Sequence, residues 1–276
     1  MIDAHFHCWQ LDRNDYGWLT PQLSPIYRDV TLADWMVHAK AHGITGGVLV
    51  QAAPTLAETE FLLHQAQQHA MVLGVVGWVD MLAEDAIMQI ERLSQSSKLK
   101  GLRPMLQDLP DPDWILQPQI QPILQYMAAH DLVFDALIKP HHLPNILKLV
   151  HQHPQLRVVI DHGAKPRIEA KQRSEWQLQM KQLAHQSDPQ RVACKLSGLW
   201  TEAKPGSECE VVRPWCEDLI AIWGDTRLMW GSDWPVLELA GSYATWRNLT
   251  LDILKSHTPE SQRKILALNA LRMYGL

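Results

Sequence analysis

The chain has 276 residues, 46% of them hydrophobic and 20% charged, with 25 basic against 30 acidic side chains and a net charge of −5. That apolar fraction buries a large core and excludes a disordered chain, while the absence of a basic stripe argues against a nucleic-acid partner. The longest nearly apolar run, 70–79, is half of the about 20 residues that a membrane span needs, so no membrane association is expected.

The chain opens MIDAHFHCWQ, with an acid and two histidines where a signal peptide would carry its apolar stretch. Cys8, Cys194, Cys209 and Cys216 lack CxxC spacing, and free thiols in a cytoplasmic protein are expected. Strand candidates follow at 2–5, 47–51, 72–79, 99–103, 132–138, 157–161, 192–196 and 227–230. Most are short continuous apolar runs, the pattern of strands covered on both faces of a parallel sheet. Helices fit between them. Thr31 caps one that stops at Gly43, and Thr55 with Glu58 has capping-box spacing. Others fit 83–97, 143–152, 174–187, 211–223 and 243–256; Pro122 suits a first helical turn, and Thr258-Pro259 starts the last helix. Eight strand–helix units predict a single-domain α/β fold, a (β/α)8 TIM barrel over 1–276. A doubly wound open sheet is the other reading, without a GxGxxG or Walker loop to support its nucleotide-binding forms. The segment at about 12–29, rich in Pro, Tyr and Trp, is expected as a lid loop across the barrel mouth.

Barrel chemistry sits at the C-terminal strand ends, and five of these carry able side chains. Strand one ends Asp3-Ala4-His5-Phe6-His7, whose two histidines point to one side because the side-chain period is two. Strand four ends in Arg103, strand six in Asp161-His162, strand seven in Lys195-Leu196-Ser197, and strand eight in Ser232-Asp233-Trp234. Each alone has an ordinary structural reading, as a cap, a rim ion pair or a solvated cation; their convergence marks a site. Trp9, Trp78 and Trp234 follow or end strands one, three and eight and are candidates for a ligand-facing wall. Trp35, Trp176, Trp223 and Trp246 fall in helices and are expected to pack.

At these residues the sequence resembles the amidohydrolase superfamily, and within it the amidohydrolase-2 group that contains sugar lactonases of the L-fuconolactonase and L-rhamnonolactonase type. MIDAHFHCW, GVLVQ, LKGLRP, VVIDHGAKP, CKLSGL, LMWGSDWP and ILALNALRMYGL carry the resemblance across the whole chain. It implies a hydrolase that opens a small sugar lactone and matches His5, His7, His162 and Asp233 to the family's strand-end residues. The strand-end pattern itself assigns Asp233, His162 and Arg103 as catalytic, with Lys195, Ser197, His141, Trp9, Trp78 and Trp234 holding the substrate. Asp233 would activate a water for direct attack. Arg103 stands where two-metal members carry Lys or Glu, so no binuclear centre is implied. One divalent ion, zinc, on His5, His7 and Asp233 is one implication; the same residues acting without metal is the other. A metal-dependent decarboxylase of the same superfamily and a non-catalytic small-molecule-binding barrel are the alternative readings.

Overall fold

A computed structural model describes the chain apart from the side chains of residues 170 and 171. Eight parallel strands pair in chain order: β1 (Ile2–Phe6), β2 (Gly46–Val50), β3 (Val72–Gly77), β4 (Leu99–Leu102), β5 (Val133–Ala136), β6 (Arg157–Ile160), β7 (Val192–Leu196) and β8 (Leu228–Trp230). Helices α1 (Leu32–Ala41), α2 (Leu56–Gln68), α3 (Ala86–Leu93), α4 (Gln121–Ala129), α5 (Leu143–Gln152), α6 (Ala170–Gln186), α7 (Arg213–Arg227) and α8 (Tyr243–Leu254) follow them in turn. This is a (β/α)8 barrel. A final segment, α9 (Pro259–Arg263) to α10 (Asn269–Tyr274), ends with Met273 and Tyr274 packed against Val133, Val159 and Met229 in the barrel interior.

The seam between β1 and β8 is closed by few backbone bonds. His7 N–H donates to the Trp234 carbonyl and Asp233 N–H to that of His5, each at 2.8 Å. Lower down, the Asp3 carboxylate takes over: it accepts from Ser232 N–H (2.8 Å), Ser232 Oγ (2.7 Å), Trp35 Nε1 (3.1 Å) and Tyr243 Oη (3.0 Å). One buried side chain thus ties two strands to α1 and α8. Its buried oxygens are satisfied by this ring of donors, as burial requires.

Several predicted bounds shift by a few residues, and two changes have a visible local cause. Thr55 caps α2 by accepting from Glu58 N–H (3.1 Å), but Glu58 does not complete a capping box. Its carboxylate accepts instead from Ala52 N–H (3.0 Å) and Ala53 N–H (2.5 Å), because that turn leaves two buried amides without another acceptor. Strand β3 ends at Gly77 rather than at 79: Thr59 Oγ1 accepts from the Trp78 N–H and donates to the Trp78 carbonyl (2.7 Å each) in place of a ladder. All four cysteines are buried and unpaired. Among the described residues, no helix is long and apolar enough to cross a membrane.

Candidate active site

A shift in pairing register between Asp3 and Phe6 sets the first part of the site. Strict alternation would put Asp3, His5 and His7 on one face. Asp3 points outward to Trp35, and Phe6 also lies outside, stacked on that indole at 3.9 Å. The irregularity re-aims the chain as a bulge does, so that His5 and His7 turn inward with their Nε2 atoms 3.2 Å apart.

The other strand ends turn sharply. Residues His162 to Lys165 all have positive φ (53°, 58°, 64° and 47°), a run of left-handed backbone that costs roughly 1–2 kcal/mol at each non-glycine residue. Asp233 has φ +58°. Surrounding bonds hold both turns: Trp176 Nε1 donates to the Gly163 carbonyl (2.7 Å), and Leu237 N–H to that of Asp233 (2.9 Å). Strain kept in place at two adjacent polar residues is a mark of a functional site. Gly198, at φ +61°, passes so close to His162 that a Cβ there would lie 2.4 Å from its Nδ1.

Asp233 is surrounded by imidazoles. Its Oδ1 lies 3.3 Å from His7 Nε2, 3.6 Å from His5 Nε2 and 3.7 Å from His162 Nε2. Burial disfavours its charge, yet the His162 ring, the His7 hydrogen bond and His5 outweigh that and hold the carboxyl well below the usual range. Burial pushes His162 down to about 4, against the pull of Asp233 and Asp161, so this ring is neutral at pH 7. Its Nδ1 is hydrogen-bonded to Ser197 Oγ at 2.8 Å. An ionised carboxylate beside a neutral imidazole is a base beside a hydrogen-bonding partner.

Beneath them lies a buried ionic layer. Lys195 Nζ is 2.6 Å from Asp135, 2.9 Å from Asp161 and 3.0 Å from His5 Nδ1. Arg103 Nη1 lies 3.2 Å from Asp161 and 3.4 Å from His5 Nε2, while its Nη2 is held by the Gln51 carbonyl and by Gln51 Oε1 (3.0 Å). Tyr274 Oη donates to Asp135 at 2.9 Å. Burial and the Lys195 charge push His5 well below the ordinary imidazole range. Against burial, Lys195, His5 and Arg103 hold Asp161 well below the carboxylate range. Asp135, with burial dominant, sits at about 6.

A cavity of about 320 Å³ opens above, lined by His7, Arg103, His162 and Asp233 on its floor and by Trp18, Leu23 and Leu239 on its walls. Lys195 and Ser197 do not line it; both are wholly buried beneath its floor. Trp9 and Trp234 are also wholly buried, with indole N–H groups on the Arg28 carbonyl and Glu238. The indole that reaches this cavity is Trp18, from the 12–29 segment. Trp78 lines a neighbouring cleft, and His141 a further cavity with Lys139 and Arg167, which meets the first at Lys165 and Glu202. Sequence reading passed over Asp135, Gln51 and Tyr274. The lone acid in the apolar strand Val-Phe-Asp-Ala was the available signal, since a buried charge must have a partner.

His5, His7 and Asp233 fit a single cation. His7 Nδ1 is bonded to the Val50 carbonyl at 2.7 Å, which fixes the proton there and leaves the Nε2 lone pair facing inward. The three ligand atoms are 3.2–3.6 Å apart, against the roughly 3.4 Å edge that tetrahedral zinc imposes on ligands at about 2.1 Å. His5 is the arbiter. Its Nδ1 lies between Lys195 Nζ (3.0 Å) and Asp161 Oδ1 (3.4 Å), and only a proton donated to Asp161 frees its Nε2 as a ligand. The other possible trio, His5, Asp161 and His162, shares His5 and has its carboxylate already engaged by Lys195 and Arg103.

A family model described as Amidohydrolase matches residues 2–276. An L-fucono-1,5-lactonase of Burkholderia ambifaria is 44% identical over 248 residues, 89% of this chain and 84% of that protein. A second L-fucono-1,5-lactonase, from Burkholderia multivorans, is 32% identical over 292 residues, 100% of this chain and 96% of that protein. Among solved structures, an amidohydrolase from Burkholderia multivorans crystallised with bound zinc superposes with a TM-score of 0.92 at 30% identity, covering 100% of this chain and 99% of that one.

Proposed function

The chain belongs to the amidohydrolase family, and from that premise we propose that it is a sugar lactone hydrolase acting on L-fucono-1,5-lactone or a close stereochemical relative. The observation that carries this reading is Asp233, an ionised carboxylate on strained backbone, set among three imidazoles at the floor of a cavity sized for one small ring.

The lactone carbonyl lies over His162 and Arg103, and a water sits beside Asp233. Asp233 takes a proton from the water as its oxygen adds to the carbonyl carbon. The oxyanion of the tetrahedral adduct is stabilised by the hydrogen-bond donors of this floor. As the ring carbon–oxygen bond breaks, Asp233 returns the proton to the departing ring oxygen, giving an alcohol. The new carboxylic acid ionises, and one proton is released to solvent. Gln51 and Asp161 keep Arg103 in place, and the Ser197–His162 bond fixes the imidazole plane. A divalent cation on His5, His7 and Asp233, with zinc the first candidate, would add Lewis acidity at the carbonyl.

The test is proton release from a panel of fucono-, rhamnono-, galactono- and arabinono-lactones, followed with a pH indicator before and after chelation. Turnover of at least one lactone, lost in Asp233→Asn, is expected. No turnover of any of them, before or after zinc is restored, would overturn the reading.

A further inference from the structure

Beside the reaction cavity, above the ends of β3 and β4, lies a second cleft of about 660 Å³. Opening one ring needs nothing from it. Its walls combine three partly exposed indoles, Trp18, Trp78 and Trp114, with three carboxylates, Asp15, Asp80 and Asp108, and no lysine or arginine lines it. Trp18, Met105 and Asp108 line both spaces, so the cleft continues the reaction cavity.

We propose that this cleft is a subsite for a second sugar ring, glycosidically joined to the lactone, so that the substrate class includes glycosylated aldonolactones; this rests on the lactonase reading above. A sugar ring has two apolar C–H faces and a rim of hydroxyl donors. Indoles supply flat apolar area at small entropic cost, and ionised carboxylates supply acceptors only. Asp15 Oδ2 is occupied by Arg13 (2.6 Å) and Thr55 Oγ1 (2.7 Å), and its Oδ1 is enclosed, so Asp15 contributes charge to the wall rather than an acceptor. Asp80 Oδ1 accepts from Leu82 N–H at 3.0 Å, and Asp108 Oδ2 from the Gln107 amide at 3.2 Å, leaving each carboxylate further lone pairs. The acidic rim repels an anion, and a wholly apolar ligand would leave the free lone pairs of Asp80 and Asp108 unmatched. A neutral polyhydroxylated ring answers both. Trp18 is already held for the purpose: its Nε1 donates to the Ala52 carbonyl (2.7 Å) and its ring stands edge-on to Trp9 at 5.6 Å.

The experiment compares D-glucono-1,5-lactone with cellobiono- and melibiono-1,5-lactone, which add a sugar at O4 and O6. The expected kcat/KM for at least one disaccharide lactone is about tenfold above the parent. Trp114→Ala and the milder Asp80→Asn, neither of which lines the reaction cavity, bring it back toward the parent's value and leave the parent within about twofold. Where the parent is turned over, disaccharide lactones no better than it, or a loss in both variants that is equal for all three substrates, would overturn the proposal. Calorimetry with the product acids separates it from the reading it rests on. Cellobionate or melibionate binding about tenfold tighter than gluconate, sensitive to Trp114→Ala, supports the subsite even if no lactone turns over. Turnover of lactones with no such binding preference removes the subsite and leaves the lactonase.

Discussion

Along β5, β6 and β7 the inward-facing positions change character within one step of the side-chain period. Val133 is followed by Asp135, Val159 by Asp161, and Ala193 by Lys195. The lower layer is apolar, closed by Met273 and Tyr274. The upper layer is ionic and supports His5. Both are wholly buried, so exposure does not distinguish them. The lower layer is held by close packing, in which any void costs stability. In the upper layer each charge is tolerable only while its partners remain, because removing one strands the others. The first should govern stability alone, and the second stability and chemistry together.

The largest effect is expected at the top of the ionic layer. Asp233→Asn removes the base while preserving shape, and kcat/KM should fall by about 10²–10⁴-fold, with an unchanged near-ultraviolet circular dichroism spectrum. A variant that keeps more than a tenth of wild-type turnover would assign the base elsewhere. Lys195→Met tests the layer itself. It leaves Asp135 and Asp161 facing each other without their shared cation, and should cost about 3–5 kcal/mol in urea unfolding, together with most of the activity. Met229→Ala, in the apolar layer, should cost about 2–5 kcal/mol and leave the kcat of the folded fraction unaltered. If its kcat fell as that of Lys195→Met does, the division between the layers would fail.

Glu58 sharpens the contrast by lacking a cation. Asp161, between Lys195 and Arg103, is held well below the carboxylate range. Glu58, buried and held by the Ala52 and Ala53 amides, is pushed by burial up to about 8. Its folded pKa therefore exceeds its unfolded value of 4.5. Between those values the folded state binds the extra proton, so this group lowers stability as pH rises from about 4.5 to 8 and has no further effect above. Glu58→Gln should remove that slope. The melting temperature of the variant relative to wild type should climb across this interval and level off beyond it. A constant difference would show that Glu58 is ionised throughout.

Much of this was legible in the sequence, for physical reasons that particular residues illustrate. Short apolar runs separated by capped helices define a barrel because each run must be covered on both faces. The strand-end positions of His5, His7, Arg103, His162 and Asp233 follow from strand boundaries alone, and the structure gathers these five around one floor. What escaped was side-chain direction. Trp9 and Trp234 stand at strand ends by number, yet their rings turn into the core. Lys195 and Ser197 sit at a strand end but below the floor. Asp135 and Tyr274 are 139 residues apart, and the Tyr274 hydroxyl donates to the Asp135 carboxylate only because the last helix folds under the barrel. No local pattern reports a contact of that range.

That contact gives the smallest predicted effect and the most specific one. Tyr274 belongs to the apolar closure, but its hydroxyl crosses into the ionic layer to donate to Asp135, which in turn pairs with Lys195 at 2.6 Å. Tyr274→Phe keeps the ring and its packing and removes one donor. Because Asp135 retains Lys195, the stability cost should be about 1 kcal/mol, far from that of stranding a charge. The lost donor leaves Lys195 drawn more strongly toward Asp135 and less toward His5 Nδ1. The kcat should therefore change modestly, about twofold to fivefold, while KM holds, since no atom of Tyr274 reaches the cavity. A loss of stability with kcat unchanged would place Tyr274 wholly in the lower layer, and the two layers would then meet without being coupled.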